Sequence, residues 1–400
     1  MDNDHRRLGR ALHLFDTSPV IGAGLPMWMP DGATIRTELE RFAAEQAERS
    51  GCLRIFTPVL AKRELFERSG HWDKFADDMF PPMRIGGEEL VLRPANCPSH
   101  VQVYAAEQHS WRDLPVRYAE NAAMFRSELS GVLGGLSRVR QITLDDAHVF
   151  CLPDQVVEEV VLALEAIRSA YATLGIEIDN YRMSLRGEHG AYAGSDEHWR
   201  LAEAELESAL DRVGVHYRRA PGEAAFYGPK IDVQVRDAAG REETLSTIQI
   251  DRVMPDRFGL TYISPAGVRE RPVMVHRGLR SSMERLVALL IEQHKGRFPT
   301  WLAPHQVDVL PVDPRRHMDA AQAVVRSLLA VGVRARVRAD GSLGSRIRDA
   351  HRDHVAHVAV LGDQEIADET LAVNGSGIGI SAFIAAVTEE IATRARDRSL

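Results

Sequence analysis

Three residues of metal-ligating type are spread through the chain. Cys97 lies in RPANCPSH, His148 in LDDAHVF and His276 in PVMVHRG, and each follows or ends a strand-like segment. One thiolate and two imidazoles form a ligand set of catalytic zinc sites, where a fourth position stays open. The spacings are too long for a local zinc finger. Two interpretations therefore stay open: a shared zinc site, or a buried cysteine and two hydrogen-bonded core histidines.

A second group of residues has the chemistry of phosphate binding. Arg126 and Arg138 flank the small-residue run SGVLGG, whose backbone N–H groups can approach a ligand, and Arg285 lies in HRGLRSSMERL. A planar guanidinium binds phosphate through two hydrogen bonds and can also stack on an aromatic base. Most arginines near glycines are ordinary surface residues, so this pattern alone is a weak signal.

Further polar residues interrupt apolar strand-like segments. They are Tyr227 and Lys230 in AFYGPKID, Gln249 in STIQID, and Asp145 and Asp146 in LDDAHVF. Burying a charge or an amide costs free energy unless the group is paired or functional. These side chains are therefore either internally paired or part of a site.

The elements that position these residues suggest a largely antiparallel sheet with helices packed on it. Apolar spacing predicts helices over residues 32–50, 154–174 and 282–295, with Gly51 and Gly175 as stops for the first two. Consecutive strands without intervening helices favour antiparallel pairing. The predicted strands are a short run, CLRIFTPVL, that ends near Pro58, and residues 89–94, 114–125, 141–150, 230–237 and 242–251.

A domain boundary is predicted near residue 300, where Pro299 and Pro304 interrupt the pattern. Beyond it, alternating strands and helices predict a three-layer α/β domain with mostly parallel strands. The predicted strands are 306–312, 333–338, 355–361 and 370–374, and the predicted helices are 316–331, 343–354 and 381–396. The overall class is therefore α/β, with an α+β first domain over residues 1–298 and a second domain over residues 303–400.

Composition narrows the class of protein. The chain has 400 residues, of which 44% are hydrophobic and 26% charged, and a net charge of −8. No apolar run approaches the roughly 20 residues that span a bilayer, no secretory signal is evident, and three unpaired cysteines argue against a disulfide framework. We therefore expect a cytoplasmic protein with no membrane or DNA partner.

One local excess of positive charge runs against this acidic balance. Six arginines lie between residues 334 and 352, facing only two aspartates. They either meet phosphates or form a solvated face, and a solvated face is the commoner case.

Together these blocks resemble class II aminoacyl-tRNA synthetases, specifically the threonyl-tRNA synthetase family. The resemblance runs from about residue 20 to the end, in family order, and its motifs are highly specific. The blocks that carry it are RSGHWDKFADDMF, RPANCPSHVQVY, FRSELSGVLGGLSRVR, DDAHVF, GSDEHW, AFYGPKID, PVMVHRG, SMERL and FPTWLAP.

The resemblance implies a role for each matching residue. Arg126 would hold the α-phosphate and the amino-acid carboxylate, Glu128 the adenine end, and Arg285 the adenine ring, while His100 would lie near the tRNA end. Asp146, Tyr227 and Gln249 would line the amino-acid and ATP pocket. Arg138 and Lys230, singled out above from their residue types, are added as expected substrate-binding residues. Cys97, His148 and His276 match the family's zinc ligands, one Zn²⁺ per subunit, and Mg²⁺ would accompany ATP.

The resemblance also implies partners and architecture. We expect ATP, L-threonine and tRNA(Thr) as substrates, a class II antiparallel sheet in the first domain, and an anticodon-binding domain at the C-terminus. The helix from residue 32 and the strand that ends at Pro58 would form a homodimer.

Some positions depart from the family pattern. Ile142 stands where an aromatic residue usually stacks on adenine, Leu144 replaces a glutamine, Ala95 replaces a larger side chain, and Arg280 adds a bulky charge. The chain starts near the catalytic core, so we expect no cis editing of mischarged tRNA.

The leading hypothesis is a threonine–tRNA ligase with zinc-based amino-acid recognition. A further hypothesis is that it serves as an inhibitor-resistant second copy. The alternative is a paralogue that binds tRNA without catalysis, or one that donates threonyl groups to a biosynthetic acceptor.

Overall fold

The computed structural model describes residues 4–399. The chain divides into two compact units. The first comprises Thr17–Pro26 and Glu40–Val287, and the second comprises the chain before Thr17, Met27–Leu39 and the chain from Ala288 onward. These units follow internal contacts, and the predicted domains, 1–298 and 303–400, remain a prediction from sequence.

An eight-stranded sheet carries the first unit. Its two edge pairs are parallel, and every pair between them is antiparallel. The predicted antiparallel sheet is therefore confirmed. The strand order is Tyr217–Pro221, Asn180–Leu185, Lys230–Arg236, Glu242–Asp251, Val273–Ser282, Gln141–Cys151, Val116–Phe125 and Leu53–Arg54.

Strand Lys230–Arg236 shows why these segments become strands. Ile231, Val233 and Val235 alternate along it and are buried, so one face of the sheet is apolar. Helix Val156–Leu174 covers this face. Its Tyr171 hydroxyl lies 2.6 Å from the hydroxyl of Ser246, and Ser246 is paired with Val233 and so lies on the same face. The helix was predicted over residues 154–174 and is confirmed; it ends at Gly175 in the left-handed region, at φ 68°.

Other elements surround this sheet in the first unit. The helices are Arg63–Ser69, His71–Phe75, Cys97–Ala105, Asp196–Val213 and Val253–Phe258, and the short strands are Leu60–Lys62, Met83–Ile85, Glu88–Leu92, His109–Ser110, Tyr262–Ile263 and Arg269–Glu270. Helices Pro30–Arg49 and Met283–His294 confirm the two remaining helix predictions before residue 300.

The sequence analysis misread two regions. It missed helix Asp196–Val213 and the strands Asn180–Leu185 and Tyr217–Pro221, whose mixed polarity gives a weak alternation pattern. It also predicted one strand through CLRIFTPVL, where only Leu53–Arg54 and Leu60–Lys62 are strands. Between these strands, the Thr57 hydroxyl donates to Glu120 Oε2 at 2.7 Å, and Pro58 has no N–H to offer a sheet.

The second unit contains a five-stranded sheet in the order Ala335–Val337, Val307–Pro311, His357–Leu361, Thr370–Val373 and Ser376–Gly379. Three of these strands are parallel, but the last two form an antiparallel hairpin. The prediction of mostly parallel strands was therefore only partly correct. The helices of this unit are His5–Ala11, Pro314–Ala330, Leu343–Arg352, Asp363–Ala367 and Ile380–Ala392, and a short hairpin pairs Phe15–Asp16 with Met27–Trp28.

The arginines near residue 340 mostly serve the interior. Arg338 Nε donates to Asp308 Oδ2 at 2.7 Å, and Asp308 is fully buried. Arg346 is buried too, and its guanidinium donates to the carbonyls of Pro311 and Val312. For Arg338 and Arg346, both earlier interpretations, phosphate contact and a solvated face, were wrong. No helix formed by residues 4–399 combines the length and the hydropathy that crossing a bilayer requires.

A buried carboxylate links the C-terminal helix to other segments of the second unit. Glu390 Oε2 lies 2.8 Å from His357 Nε2 and accepts from Thr300 Oγ1 at 2.5 Å, while Oε1 accepts from the Ser399 hydroxyl at 2.6 Å. Burial raises the pKa of Glu390, but the hydrogen bonds from His357, Ser399 and Thr300 outweigh it and bring the pKa down to about 2. The carboxylate form therefore stabilises the folded state.

We expect Glu390→Gln to lower the free energy of unfolding of this unit by about 1–3 kcal/mol at neutral pH. The folded pKa lies below the ordinary value of about 4.3, so the stabilisation is present above that pH and is lost as the pH falls towards 2. Urea unfolding and amide hydrogen exchange of helix Ile380–Ala392 at several pH values test this. The exposed neighbour provides the control, Glu389→Gln, and equal effects of the two substitutions at all pH values would contradict the assignment.

Candidate active site and metal centre

Cross-strand register assembles the polar face of the eight-stranded sheet. Directly opposed residues on neighbouring strands have side chains on the same face. His148 is opposite His276, His276 is opposite Gln249, and Gln249 is opposite Lys230. Asp146 precedes His148 by two residues and so points to the same side. Four neighbouring strands thus bring predicted site residues together from distant parts of the chain.

Cys97 joins the two histidines from outside the sheet. It is the first residue of helix Cys97–Ala105. The side chains of Cys97, His148 and His276 are buried, and their ligand atoms lie within 4.8 Å of one another. Such a separation suits three ligands of one ion, because zinc lies about 2.0–2.3 Å from each nitrogen or sulfur ligand.

The chemistry of His148 fits a metal ligand. Its Nε2 is buried and has no hydrogen-bond partner among residues 4–399, which is an unfavourable state for an imidazole nitrogen that binds nothing. Burial, and then the nearby His100 and His276, hold the pKa of His148 well below its usual value. The ring is therefore neutral, and a lone pair on Nε2 is available to an ion.

His276 and Cys97 fit the same role. His276 Nε2 lies 3.0 Å from Asp251 Oδ2, which leaves Nδ1 for an ion, and carboxylates commonly orient metal-bound histidines in this way. Burial, and then Asp146 and Asp251, raise the pKa of the Cys97 thiol. A bound cation favours the thiolate, so cation binding and proton release from Cys97 are coupled.

A cavity of about 600 Å³ opens beside these residues. Of the residues predicted for the site, those that line it are Cys97, Arg126, Glu128, Arg138, Asp146, Tyr227, Lys230, Gln249 and His276. The side chains of His100, His148 and Arg285 lie outside its wall. The structure therefore brings nine of the twelve predicted residues to one cavity.

The arginines of the cavity differ in their partners. Arg138 Nη2 forms an ion pair with Glu128 Oε2 at 2.8 Å. Arg126 is exposed to the cavity, and no acidic group of residues 4–399 lies within ion-pair distance of its guanidinium. Arg126 is therefore available to a phosphate or a carboxylate, whereas Glu128 and Arg138 neutralise each other.

Polar groups beside the metal ligands give the cavity directional contacts. Asp146 Oδ1 lies 3.8 Å from His148 Nε2. Burial, and then Asp145 and Glu120, raise the pKa of Asp146 to about 8, and a bound cation would favour its carboxylate form. The Tyr227 hydroxyl donates to Gln249 Oε1, and its ring stacks on His276 with centroids 5.0 Å apart. Lys230 Nζ lies 2.9 Å from Asp232 Oδ2.

A shift of strand register separates the metal ligands from Arg285. Strand pairing is regular up to Gly278 and resumes at Ser282. Within this bulge, Arg280 turns to Asp145 Oδ2, at 2.9 Å from Nη2, and lies over the Phe42 ring. Arg280 is therefore buried outside the cavity and does not crowd it as the sequence suggested. Beyond the bulge, Arg285 Nη1 lies 3.4 Å from the carbonyl of Thr244, a cavity residue.

The other atypical positions divide in the same way. Leu144 and Ala95 line the cavity, so these two replacements change its wall. Ile142 does not line it, although the sequence suggested a contact with a nucleotide base.

Two histidines differ from the sequence prediction in whether they reach the cavity. His100 is fully buried behind His148, and its predicted contact with a tRNA end would need a side chain that reaches the cavity. His71, for which sequence analysis assigned no role, does line the cavity. Burial, and then His276 and Arg126, lower the pKa of His71 to about 3, so its ring is neutral. His71 could have been selected from the sequence, because it lies in RSGHWDKF, one of the blocks that carry the family resemblance.

Family comparisons agree with this architecture. Residues 83–294 match the tRNA synthetase class II core domain (G, H, P, S and T), and residues 306–375 match an anticodon binding domain. The fold and site therefore define a class II aminoacyl-tRNA synthetase core.

Individual relatives narrow the family. The threonine–tRNA ligase of Geobacillus kaustophilus (strain HTA426) is 46% identical over 98% of this chain. A crystal structure from Cryptosporidium parvum Iowa II, described as the RNA binding domain of threonyl-tRNA synthetase, has a TM-score of 0.91 and 31% identity, with 99% of each chain covered. A putative threonyl-tRNA synthetase from Aeropyrum pernix has a TM-score of 0.86 and 28% identity, covering 99% of this chain and 98% of that one. The chain belongs to the threonyl-tRNA synthetase family.

This chain is shorter than the threonine–tRNA ligases it matches. The chain spans 61% of the Geobacillus relative.

We expect purified protein to contain about one zinc ion per chain, measured by elemental analysis. Cys97→Ala or His276→Ala should reduce zinc to a small fraction of this content, because each removes one of three ligands. Cys151→Ala serves as the control, since Cys151 is also buried and, among residues 4–399, its thiol donates to the Val273 carbonyl at 3.6 Å and belongs to no candidate ligand set. Full zinc content in the Cys97 variant would show that the ligand set is wrong.

Proposed function

We propose that the protein is a threonine–tRNA ligase, which activates L-threonine with ATP and transfers it to tRNA(Thr). The observation that carries the proposal is the convergence of Cys97, His148 and His276 beside a cavity that also presents Arg126 and Asp146. Family membership supports the same reaction.

The proposed zinc site explains how threonine is chosen over valine. These amino acids are nearly isosteric, and an apolar pocket separates such a pair by only about 100-fold. Zinc, when bound by the three ligands, supplies a Lewis acid for the amino and hydroxyl groups of threonine. Asp146 would accept a hydrogen bond from that hydroxyl, and valine can make neither hydroxyl contact. Serine keeps the hydroxyl, so this site alone does not exclude it.

The activation step is an attack of the threonine carboxylate on the α-phosphorus of ATP. A bond forms between a carboxylate oxygen and the α-phosphorus, the bond from the α-phosphorus to the bridging oxygen breaks, and pyrophosphate leaves. Mg²⁺, when bound with ATP, would offset part of the phosphate charge. The protein contributes positioning and charge stabilisation. Arg126 would bridge the carboxylate and the α-phosphate, because its guanidinium is unpaired and faces the cavity. Arg138 would meet the remaining phosphates on leaving Glu128, which is then free for the adenine amino group.

The transfer step consumes the threonyl-adenylate. A ribose hydroxyl at the tRNA end attacks the acyl carbon, and AMP leaves. His71 lines the cavity and is not one of the three candidate metal ligands, so its imidazole would meet a bound acceptor end. The C-terminal α/β region would contact the anticodon. The inhibitor-resistant role remains a prediction, and Leu144 and Ala95 are the cavity positions at which inhibitor contacts would differ.

A homodimer is supported by exposed apolar side chains after helix Pro30–Arg49. Leu53 and Phe56 are 63% and 74% exposed, and Leu60 also reaches the surface. Large apolar side chains that are exposed at nearby positions in one segment support an interface there. Its position matches the segment that the resemblance assigns to dimer formation.

The reaction is tested by threonine-dependent exchange of pyrophosphate into ATP, followed by charging of tRNA(Thr). No exchange with threonine would overturn the proposal and leave a binding paralogue. Exchange without tRNA charging would indicate a threonyl donor for another acceptor.

We expect Asp146→Ala to reduce kcat/KM for threonine in the exchange reaction about 10- to 100-fold, which corresponds to the loss of one charge-assisted hydrogen bond. The KM for ATP should change much less, because Asp146 lies beside the metal ligands. Steady-state exchange with each substrate varied in turn gives both values. Equal losses for threonine and ATP would contradict this role.

We expect Phe56→Asp to convert the dimer to a monomer, since a charge placed in an apolar interface remains unpaired. Light scattering after size exclusion measures the mass. Leu162→Asp is the matched control, because Leu162 is 40% exposed on a helix remote from the patch in sequence. A dimer that survives Phe56→Asp would place the interface elsewhere.

A further inference from the structure

We infer that His100 and Glu120 are positioning residues that hold His148 in the tautomer able to bind the metal ion. The inference rests on the proposed zinc function and deepens it. It assigns His100 a place behind the metal, in contrast to the contact with tRNA that the resemblance implied.

The contact between the imidazoles of His100 and His148 is short and buried. His148 Nδ1 lies 2.8 Å from His100 Nδ1, and the rings meet edge to face, with centroids 4.7 Å apart and an interplanar angle of 84°. Both side chains are fully buried. Because the pair is shielded from bulk solvent, the partner of His148 Nδ1 is the neighbouring histidine.

The proton positions follow from this contact. A nitrogen that binds a metal must present a lone pair, so metal binding at His148 Nε2 requires the proton of the neutral ring on Nδ1. That proton is donated to His100 Nδ1. The single proton of neutral His100 must then reside on Nε2, where Glu120 Oε2 lies at 3.3 Å. The carboxylate thereby selects the tautomer of both rings.

Glu120 is itself held firmly. Its Oε1 accepts from Arg93 Nη2 at 3.0 Å, and its Oε2 accepts from the Thr57 hydroxyl at 2.7 Å. Arg93 and Glu120 are almost fully buried. The chain of contacts therefore runs from the metal ligand through His100 to a buried ion pair, which keeps the carboxylate ionised and in place.

The opposite tautomer of the two histidines is also available, because Asn96 can donate to His100. The Asn96 side-chain oxygen accepts from Arg93 Nη1 at 2.7 Å, which directs its NH₂ group to His100 Nε2 at 2.5 Å. If Asn96 donates there, the chain reverses, and the proton on His148 moves to Nε2, where it blocks the metal. Glu120 opposes this arrangement because its carboxylate accepts a hydrogen bond from a protonated His100 Nε2 and also accepts from the Asn96 NH₂ group, whose nitrogen lies 3.3 Å from Glu120 Oε2. In the metal-binding arrangement, Asn96 therefore donates to Glu120 and not to His100.

The test measures zinc affinity directly, by competition with a chelator in the absence of substrates. We expect His100→Phe to weaken zinc binding about 10- to 100-fold, as loss of an outer-shell partner commonly does. His100→Asn, whose side-chain oxygen can accept from His148, should recover part of this loss. Glu120→Gln should weaken binding in the same direction by a smaller factor, and it covers the case in which His100→Phe does not fold.

His109→Phe is the matched control. His109 is also buried, bonds the Tyr104 carbonyl at 3.0 Å and stacks on the Tyr104 ring, but it does not contact the metal ligands. Its zinc affinity should equal that of the wild type. Unfolding midpoints of the zinc-free proteins separate a general loss of stability from a specific loss of affinity.

The outcomes distinguish the two proposals. A wild type that does not bind zinc overturns the proposed function itself. A wild type that binds zinc, with His100→Phe or Glu120→Gln binding as tightly, overturns the present inference and leaves the function intact. Equal weakening by His100→Phe and His109→Phe would also overturn it, because the effect would then be structural.

Discussion

The register of four antiparallel strands is the constraint on which the site depends. Strand side chains alternate between faces, so a slip of one residue would move His148 or His276 to the helix-covered side of the sheet. The apolar residues between them prevent the slip, because Ala147, Ile248 and Val275 would then face the cavity. Packing against the long helix Val156–Leu174 therefore fixes the positions of the two histidines as well as the core.

The sequence was informative where chemistry and local pattern coincide. The long helices and the central strands have strong periodicity, and their predicted extents agree closely with the structure. Cys97, His148 and His276 were identifiable as ligand types, but neither spacing nor composition could bring them together. Only the family resemblance indicated that they meet, since their convergence depends on sheet register and on a helix from elsewhere in the chain.

The failures share a physical cause, which is that sequence does not show what lies behind a residue. His100 and His71 are alike as letters, yet one is enclosed behind a metal ligand and the other faces the cavity. Arg280 was taken for an intruding charge, whereas a bulge turns it towards Asp145. Arg338 and Arg346 suggested phosphate contacts, and they satisfy a buried aspartate and buried carbonyls instead. In each case a tertiary partner decides the role.

Some charged groups of the cavity are paired with each other, and others lack an ion-pair partner that a ligand could supply. Glu128 and Arg138 form an ion pair, and burial together with the nearby Asp145 and Glu120 raises the pKa of Asp146. Arg126 has Glu128 and Asp78 nearby, but no carboxylate of residues 4–399 forms an ion pair with it. An anionic ligand at Arg126 and a cation near Asp146 would each relieve a local imbalance. Binding of the two would be mutually favourable if they meet in the same cavity, because each screens the field that the other experiences.

The bulge between Gly278 and Ser282 also affects how such a chain can change over evolutionary time. It absorbs extra residues within one strand, so the segment before it and the helix after it need not keep a common phase. Substitutions after the bulge can therefore alter the segment around Arg285 while the part of the strand before it keeps His276 aligned with His148.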